Sequence, residues 1–236
     1  TEVFTMHDRP APCGQEHTPA AHLTRAAQTD ALLGAARSIL IHLEAGRRVD
    51  ATLLREAMEA SFSASDAAGA WDWKLAYDAC EAATVLFIRK YGKTLLHKAG
   101  SAAAALPLVA KVAGLLPTHT RRSIDCETFQ QFSTPIPLGL IAATAAAIRP
   151  SDRVLEPSAG TGLLAILSEI AGATLILNEL AETRASLLSS LFPAVPVTRF
   201  DAAQIDDYLD PAAVPTVVLM NPPFSAMVNV SGRMAD

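Results

Sequence analysis

Two short stretches of this chain carry residue types that could do chemistry together, and about sixty residues separate them. The first is a turn made of Glu156, Pro157, Ser158, Ala159, Gly160, Thr161 and Gly162. Lacking a Cβ, Gly160 and Gly162 let the backbone come close to a ligand, and a helix starting just beyond them offers free amide donors. Glycine-rich turns of this kind cradle nucleoside cofactors, bind dinucleotides, or bind nothing. The second stretch is Asn221, Pro222, Pro223 and Phe224. Two successive prolines donate no backbone hydrogen bonds, so they leave the Pro222 carbonyl exposed and fix the direction of Asn221. A side-chain amide oxygen and a backbone carbonyl can accept both hydrogens of an amino group, which turns its nitrogen lone pair toward an electrophile. Phe224 offers a face on which a planar group can stack. Alignment and desolvation would carry such a transfer without an unusually strong base. A strand that ends in a proline turn is the plain alternative.

Two carboxylates fall between these stretches. Glu179, directly after Asn178, could accept both hydrogens of a ribose diol, or stand solvated at a helix N-terminus. Asp201, after Phe200, could accept a hydrogen bond from an adenine amino group, or cap a helix.

Strand ends are the natural place for all of these residues, and from Pro135 onward the sequence supplies strands. A helix from Leu138 to Ile148 stops before Pro150. The strand Arg153 to Glu156 then runs into the glycine turn, and a helix follows from Leu163 to Ala171. Next come the strand Thr174 to Asn178, a helix from Ala181 to Leu191 and the strand Val195 to Phe200. A short turn or helix from Gln204 to Tyr208 precedes the strand Thr216 to Met220. Strands joined by right-handed helical crossovers give an α/β fold with a parallel sheet. Its ligands sit at the carboxyl ends of the strands, near the point where strand order reverses.

The residues before this point read differently. Residues 1–20 hold Pro10, Pro12, Pro19 and Gly14 and suggest an extended arm. Residues 21–128 read as an all-α helical domain, and residues 129–236 as the α/β domain. The first helix of the all-α part runs from Ala20 to Leu43 with Gly46 closing it. Asp50 caps a second, with Leu53, Leu54 and Met58 on one face. A third spans Ala70 to Tyr91 and is ended by Gly92. The looser segment from Thr94 to Leu116 should be kinked or divided by Pro107. Trp71, Trp73, Tyr77 and Phe87 have the spacing of packed core, although a stacking surface could be drawn from them. Arg89, Lys90, Lys93, His97 and Lys98 form the densest basic run, either a phosphate contact or a solvated helix end.

Composition narrows the function. Half of the 236 residues are hydrophobic and 18% are charged, which suits a folded, cytoplasmic protein and not a disordered one. No apolar run is long enough to span a bilayer, so no membrane partner is expected. Cys13, Cys80 and Cys126 are odd in number and scattered, as reduced thiols are. His7, Cys13 and His17 match no zinc spacing and lack a fourth ligand, so no metal is expected. Residues 129–236 carry 5 Lys and Arg against 10 Asp and Glu, with no Lys. That half lacks the basic footprint of nucleic-acid binding, so any grip on a polynucleotide must come from elsewhere.

Taken in this order, the glycine turn, the acidic strand ends and Asn221 to Phe224 resemble the gamma group of S-adenosylmethionine-dependent amino-methyltransferases. Modification subunits of type I restriction systems and related adenine-N6 DNA methylases belong to it. Gln130-Gln131-Phe132-Ser133-Thr134-Pro135 resembles the upstream motif of that group, which holds the methionine end of the cofactor. The resemblance covers about 100 residues. It implies S-adenosyl-L-methionine as cofactor, bound on a Rossmann-like sheet by Phe132, Thr134, Pro135, the residues 156–162, Glu179 for the ribose and Asp201 for the adenine. It implies Asn221, Pro222, Pro223 and Phe224 as the catalytic loop. The implied reaction is methyl transfer to adenine N6 in DNA, with the base flipped out onto Phe224. RNA bases and protein glutamine remain open as acceptors. A nearer likeness is to the methylase domain of bacterial strawberry-notch-like proteins, where it precedes a helicase-like NTPase. No helicase motif is present here, so that part would lie beyond Asp236. The family's fold has further strands after the fourth, so the chain is expected to be a fragment of a longer protein, retaining cofactor binding more readily than turnover. DNA would then be held mainly by the helical domain or by parts beyond Asp236. A non-catalytic docking module of a helicase-like protein is the alternative from another class.

Overall fold

Side-chain oxygens set the helix starts in the first half of the chain. In the computed structural model, which describes residues 23–117 and 133–221, Thr24 caps α1 (Arg25–Glu44) and Asp50 caps α2 (Ala51–Phe62). Asp72 caps α3 (Trp73–Ala99) and Ser101 caps α4 (Ala102–Ala113). Each accepts a backbone N–H that the first turn cannot pair internally. Asp50 takes two, from Thr52 at 3.0 Å and Leu53 at 2.9 Å. The arm expected over residues 1–20 lies outside the described residues.

Helix α3 passes straight through Gly92, where the sequence suggested a stop, and ends instead at Gly100, in the left-handed region at φ 75°. Gly92 serves packing: a Cβ there would lie 2.9 Å from Ile170 Cδ1. Pro107 lies inside α4 and does not divide it; the break expected in this segment falls at Gly100 and Ser101. Trp71 and Tyr77 are buried while Trp73 and Phe87 are half-buried, so the aromatic residues are core. Two members of the basic run are in ion pairs, Arg89 with Glu169 and Lys90 with Glu44, both at 2.7 Å.

In the second half α5 (Ile136–Ala145) begins directly after Pro135 and stops three residues before Ile148, where Ala147 turns left-handed at φ 49°. Then follow β1 (Arg153–Glu156), α6 (Ala165–Ala171), β2 (Thr174–Asn178), α7 (Glu182–Leu191), β3 (Val197–Thr198), α8 (Ile205–Tyr208) and β4 (Val217–Val218). The four strands form one sheet in the order β3-β2-β1-β4. All three pairings are parallel, with Leu155 opposite both Ile176 and Val218, and Leu177 opposite Val197. The chain is thus a mixed α/β fold with an all-parallel sheet. The two outer strands are shorter than expected. Past Thr198, the Asn178 side chain takes over the backbone groups of Phe200 that a longer β3 would have paired. Beside β4, single bonds from Thr216 to Arg153 and from Leu219 to Leu155 prolong contact without extending the strand. Among the described residues β4 is a sheet edge, with Val218 and Met220 exposed.

One hydrophobic core crosses the boundary drawn in the sequence. It runs from Leu32, Ile39 and Ile88 through Ile166 and Leu177 to Leu188, Phe192 and Leu219. Each such large side chain contributes about 1.5–3 kcal/mol by leaving water. Helices α1 and α3 lie against α6 and α7. Arg89 reinforces the contact by a two-pronged bond to Glu169, at 2.7 and 3.0 Å, and by lying over the Phe192 ring. No helix among the described residues is long and apolar enough to cross a membrane.

Candidate functional site

Strand order reverses between β1 and β4, because the chain builds β2 and β3 on one side of β1 and returns to place β4 on the other. A crevice at the carboxyl ends of two such strands is where open α/β sheets hold ligands. The glycine turn and Asn221, the first residue of the second stretch, come to this place. The 156–162 turn leaves β1, and Asn221 follows β4, two residues beyond Leu219, whose amide bonds the Leu155 carbonyl at 2.9 Å. Asn221 is half-buried. Phe132, Pro222, Pro223 and Phe224 lie outside the described residues.

The two glycines of the turn have different tasks. Gly162, at φ 91°, leaves no room for a side chain, since a Cβ would stand 2.4 Å from Phe192 Cε2. Gly160, at φ 57°, has space in front of it, and only Arg184 Nη1 at 4.0 Å would meet a Cβ there. Its amide donates to Glu179 Oε2 at 2.7 Å, while Glu179 Oε1 accepts from Ala181 at 2.8 Å. Glu179 is therefore buried at the end of β2 as a clamp on the turn, not solvated.

Asn178 fixes the three strand ends relative to one another. Its Nδ2 donates to the carbonyls of Pro157 (2.8 Å) and Phe200 (2.9 Å), and its Oδ1 accepts from the Phe200 amide and the Thr198 hydroxyl, both at 2.8 Å. All four hydrogen-bonding positions of the buried amide are filled. Its backbone carbonyl also accepts from Ala159 at 2.9 Å.

Glu156 stands apart. It is buried at the end of β1 and its Oε2 has no hydrogen-bond partner. Burial pushes its carboxyl well above the usual carboxylate range; the Ala165 amide opposes this and the neighbouring charge of Glu179 adds to it. An orphaned buried carboxylate oxygen costs about 1–3 kcal/mol or more, which a ligand carrying donors and positive charge would offset.

The remaining candidates fall around this centre. Ser158 and Thr134 are half-buried and Ala159 is buried. Pro135 precedes α5, and its carbonyl accepts from Leu138 and Gly139. Thr161 is buried and its hydroxyl donates to Glu81 Oε2 at 2.7 Å, as does that of Ser133. Asp201 is exposed and its Oδ1 accepts from Ala203 at 3.0 Å, capping a 3-10 turn over Ala202–Gln204. Beyond it Phe200 and Tyr208 stack at 4.4 Å.

No protein-family model, curated protein or solved structure matches the chain. What the site can do rests on its own geometry. Four buried carboxyl groups, Asp78, Glu81, Glu156 and Glu179, surround or adjoin the turn, with the buried Arg184 among them. Burial works against the charge on Arg184, yet Asp78, Glu81 and Glu179 together hold it protonated more firmly than usual. The balance at the turn remains acidic. Among the described residues no group of His, Cys, Asp and Glu side chains converges as metal ligands. Asp78, Glu81 and Arg184 adjoin the candidate site and are not marked by any motif. The available signal was two acids three residues apart inside the alanine-rich centre of α3, where no solvent-facing stripe exists.

Proposed function

We propose that this chain carries the cofactor site of an S-adenosylmethionine-dependent methyltransferase with a Rossmann-like sheet, acting on an exocyclic amino group. The carrying observation is the partnerless Glu156 oxygen, buried where the glycine turn leaves β1 at the switch in strand order. A dinucleotide would bring a pyrophosphate to this turn and need its amides free. Here the Gly160 amide is already bonded to Glu179, and a second buried carboxyl stands beside it. An anion is disfavoured at such a place, and a ligand with an ammonium group and a positively charged centre is favoured.

The residues fit that cofactor. Glu156 would meet its ammonium group. Each Glu179 oxygen has one amide partner and keeps capacity to accept from a ribose hydroxyl. Asp201 keeps Oδ1 in its cap, so a bond to the adenine amino group would fall to the other oxygen. When bound, the cofactor supplies an electrophilic methyl on sulfur. Asn221, at the neighbouring strand end, would accept one hydrogen of the acceptor amino group and the Pro222 carbonyl the other, which directs the nitrogen lone pair. Adenine N6 in DNA is the acceptor implied by the upstream residues 130–135. The acidic balance of residues 129–236 favours a second reading, a docking module that binds the cofactor without transfer.

Calorimetry with S-adenosylmethionine tests the cofactor, with NAD as the anionic control and Gly160→Asp as the negative variant. We expect binding of the first, none of NAD, and loss in the variant. A folded chain that binds NAD and ignores S-adenosylmethionine would overturn the reading. Labelled-methyl transfer to DNA, RNA and protein then separates the acceptors, and binding without transfer to any of them favours the docking module.

A further inference from the structure

Helix α3 belongs to the helical half of the chain, yet it reaches the glycine turn with two buried acidic side chains. Glu81 Oε2 accepts the Thr161 hydroxyl from the turn and the Ser133 hydroxyl from the segment before α5, each at 2.7 Å. One oxygen thus joins segments 80 and 52 residues away from it. Nearly one helical turn earlier, Asp78 Oδ1 accepts from Arg184 Nε at 3.1 Å and Nη2 at 2.7 Å, and the Nη1 of that same guanidinium faces Gly160. Glu81 therefore holds the turn directly, while Asp78 fixes the guanidinium of Arg184 beside it.

We infer that Glu81 is a positioning residue of the cofactor site: it fastens the glycine turn and the Ser133 segment to α3, which makes the helical half a working part of that site. Both hydroxyls donate to Glu81 Oε2, so both hydroxyl hydrogens are committed to it. What remains on the Thr161 and Ser133 oxygens is acceptor capacity alone. The site is thereby biased further toward ligand groups that donate, as an ammonium does. Two such bonds from hydroxyls to one buried carboxyl oxygen remove freedom from a turn whose glycines would otherwise allow it. The inference rests on the cofactor reading only for the identity of the ligand; the fastening itself does not need it.

The test uses the whole chain with Glu81→Leu, Thr161→Val, the double variant and Glu81→Gln. Hydrogen exchange of the amides of residues 158–162 is followed without ligand, and S-adenosylmethionine affinity by calorimetry. Exchange in the turn should rise about tenfold in either single variant, as for a buried hydrogen bond left unmade. The double variant should add little to Glu81→Leu, because that change already removes the Thr161 bond. Glu81→Gln, whose amide oxygen still accepts, should restore most of the protection. Cofactor affinity should fall by about the same tenfold factor in the single variants. Unchanged exchange in the turn, or loosening spread evenly over α2 and the sheet, would overturn the inference, as would undiminished affinity in both single variants. If Glu81→Leu fails to fold, Thr161→Val carries the same comparison. Loosening confined to the turn in a chain that never binds the cofactor would uphold the fastening and sink the cofactor reading.

Discussion

Glu156 gives up its proton less readily than an ordinary carboxyl, because burial, and then the charge of Glu179, both oppose ionisation. The raised value sets the sign of two effects. Between the ordinary carboxylate value of 4.5 and the raised one, the unfolded chain has released this proton and the folded chain has not. Stability therefore falls as pH rises through that window. Glu156→Gln should remove this contribution, so that its melting temperature declines less than that of the parent as pH increases from about 5 toward neutrality. A cation bound against Glu156 has the opposite preference, since it favours the ionised form. Binding should then release a proton, and S-adenosylmethionine affinity should rise with pH up to the raised value and level off above it. Calorimetry in two buffers of different ionisation enthalpy reads the proton directly. A parent protein with pH-independent affinity and no released proton would mean that the cation does not sit on Glu156.

At the scale of elements, the turn after β1 works because α7 and Phe192 crowd Gly162 from one side while Glu179 clamps Gly160 from the other. Gly162→Ala must place a methyl within 2.4 Å of the Phe192 ring and 3.0 Å of Leu188 while holding a left-handed backbone. We expect a loss of about 2–4 kcal/mol in chemical denaturation, the sum of overpacking and backbone cost. Gly160→Ala should lose only the backbone part, about 1 kcal/mol. Equal losses would show that the two glycines are not divided between packing and access as described. The same elements explain what could be read in advance. Strands β1 and β2 matched their expected bounds because short apolar runs closed by Glu156-Pro157 and by Asn178-Glu179 leave little choice of length, and strand ends placed Glu156, Glu179 and Asn221. Gly92 misled because glycine marks both a helix stop and a close helix crossing, and only the neighbour, Ile170, decides which. Of the two effects expected of Pro107, division does not occur: α4 runs unbroken through it from Ala102 to Ala113. Two acids in the alanine-rich centre of α3 signal burial of Asp78 and Glu81, but not their partners, which lie 52 to 106 residues away.

At the scale of the whole molecule, the question is whether the helical and α/β halves stand or fall together. The shared apolar core argues that they do, and the Asp78–Arg184 pair lies within it, with side chains only 2% and 7% exposed. A buried pair contributes little net stability when intact, because desolvation offsets attraction, but removing one partner leaves a bare charge. Arg184→Met should therefore destabilise the chain by about 3–5 kcal/mol, and the double variant Asp78→Leu with Arg184→Met should recover much of that loss. Where the loss appears is as informative as its size. Both tryptophans, Trp71 and Trp73, lie in the helical half, so their fluorescence reports that half alone, whereas exchange of the β1 and β2 amides reports the sheet. If one core holds both, Arg184→Met should shift the two transitions together and by the same amount. A shift confined to the sheet would mean that the helical half folds independently and that its grip on the glycine turn is a contact between domains.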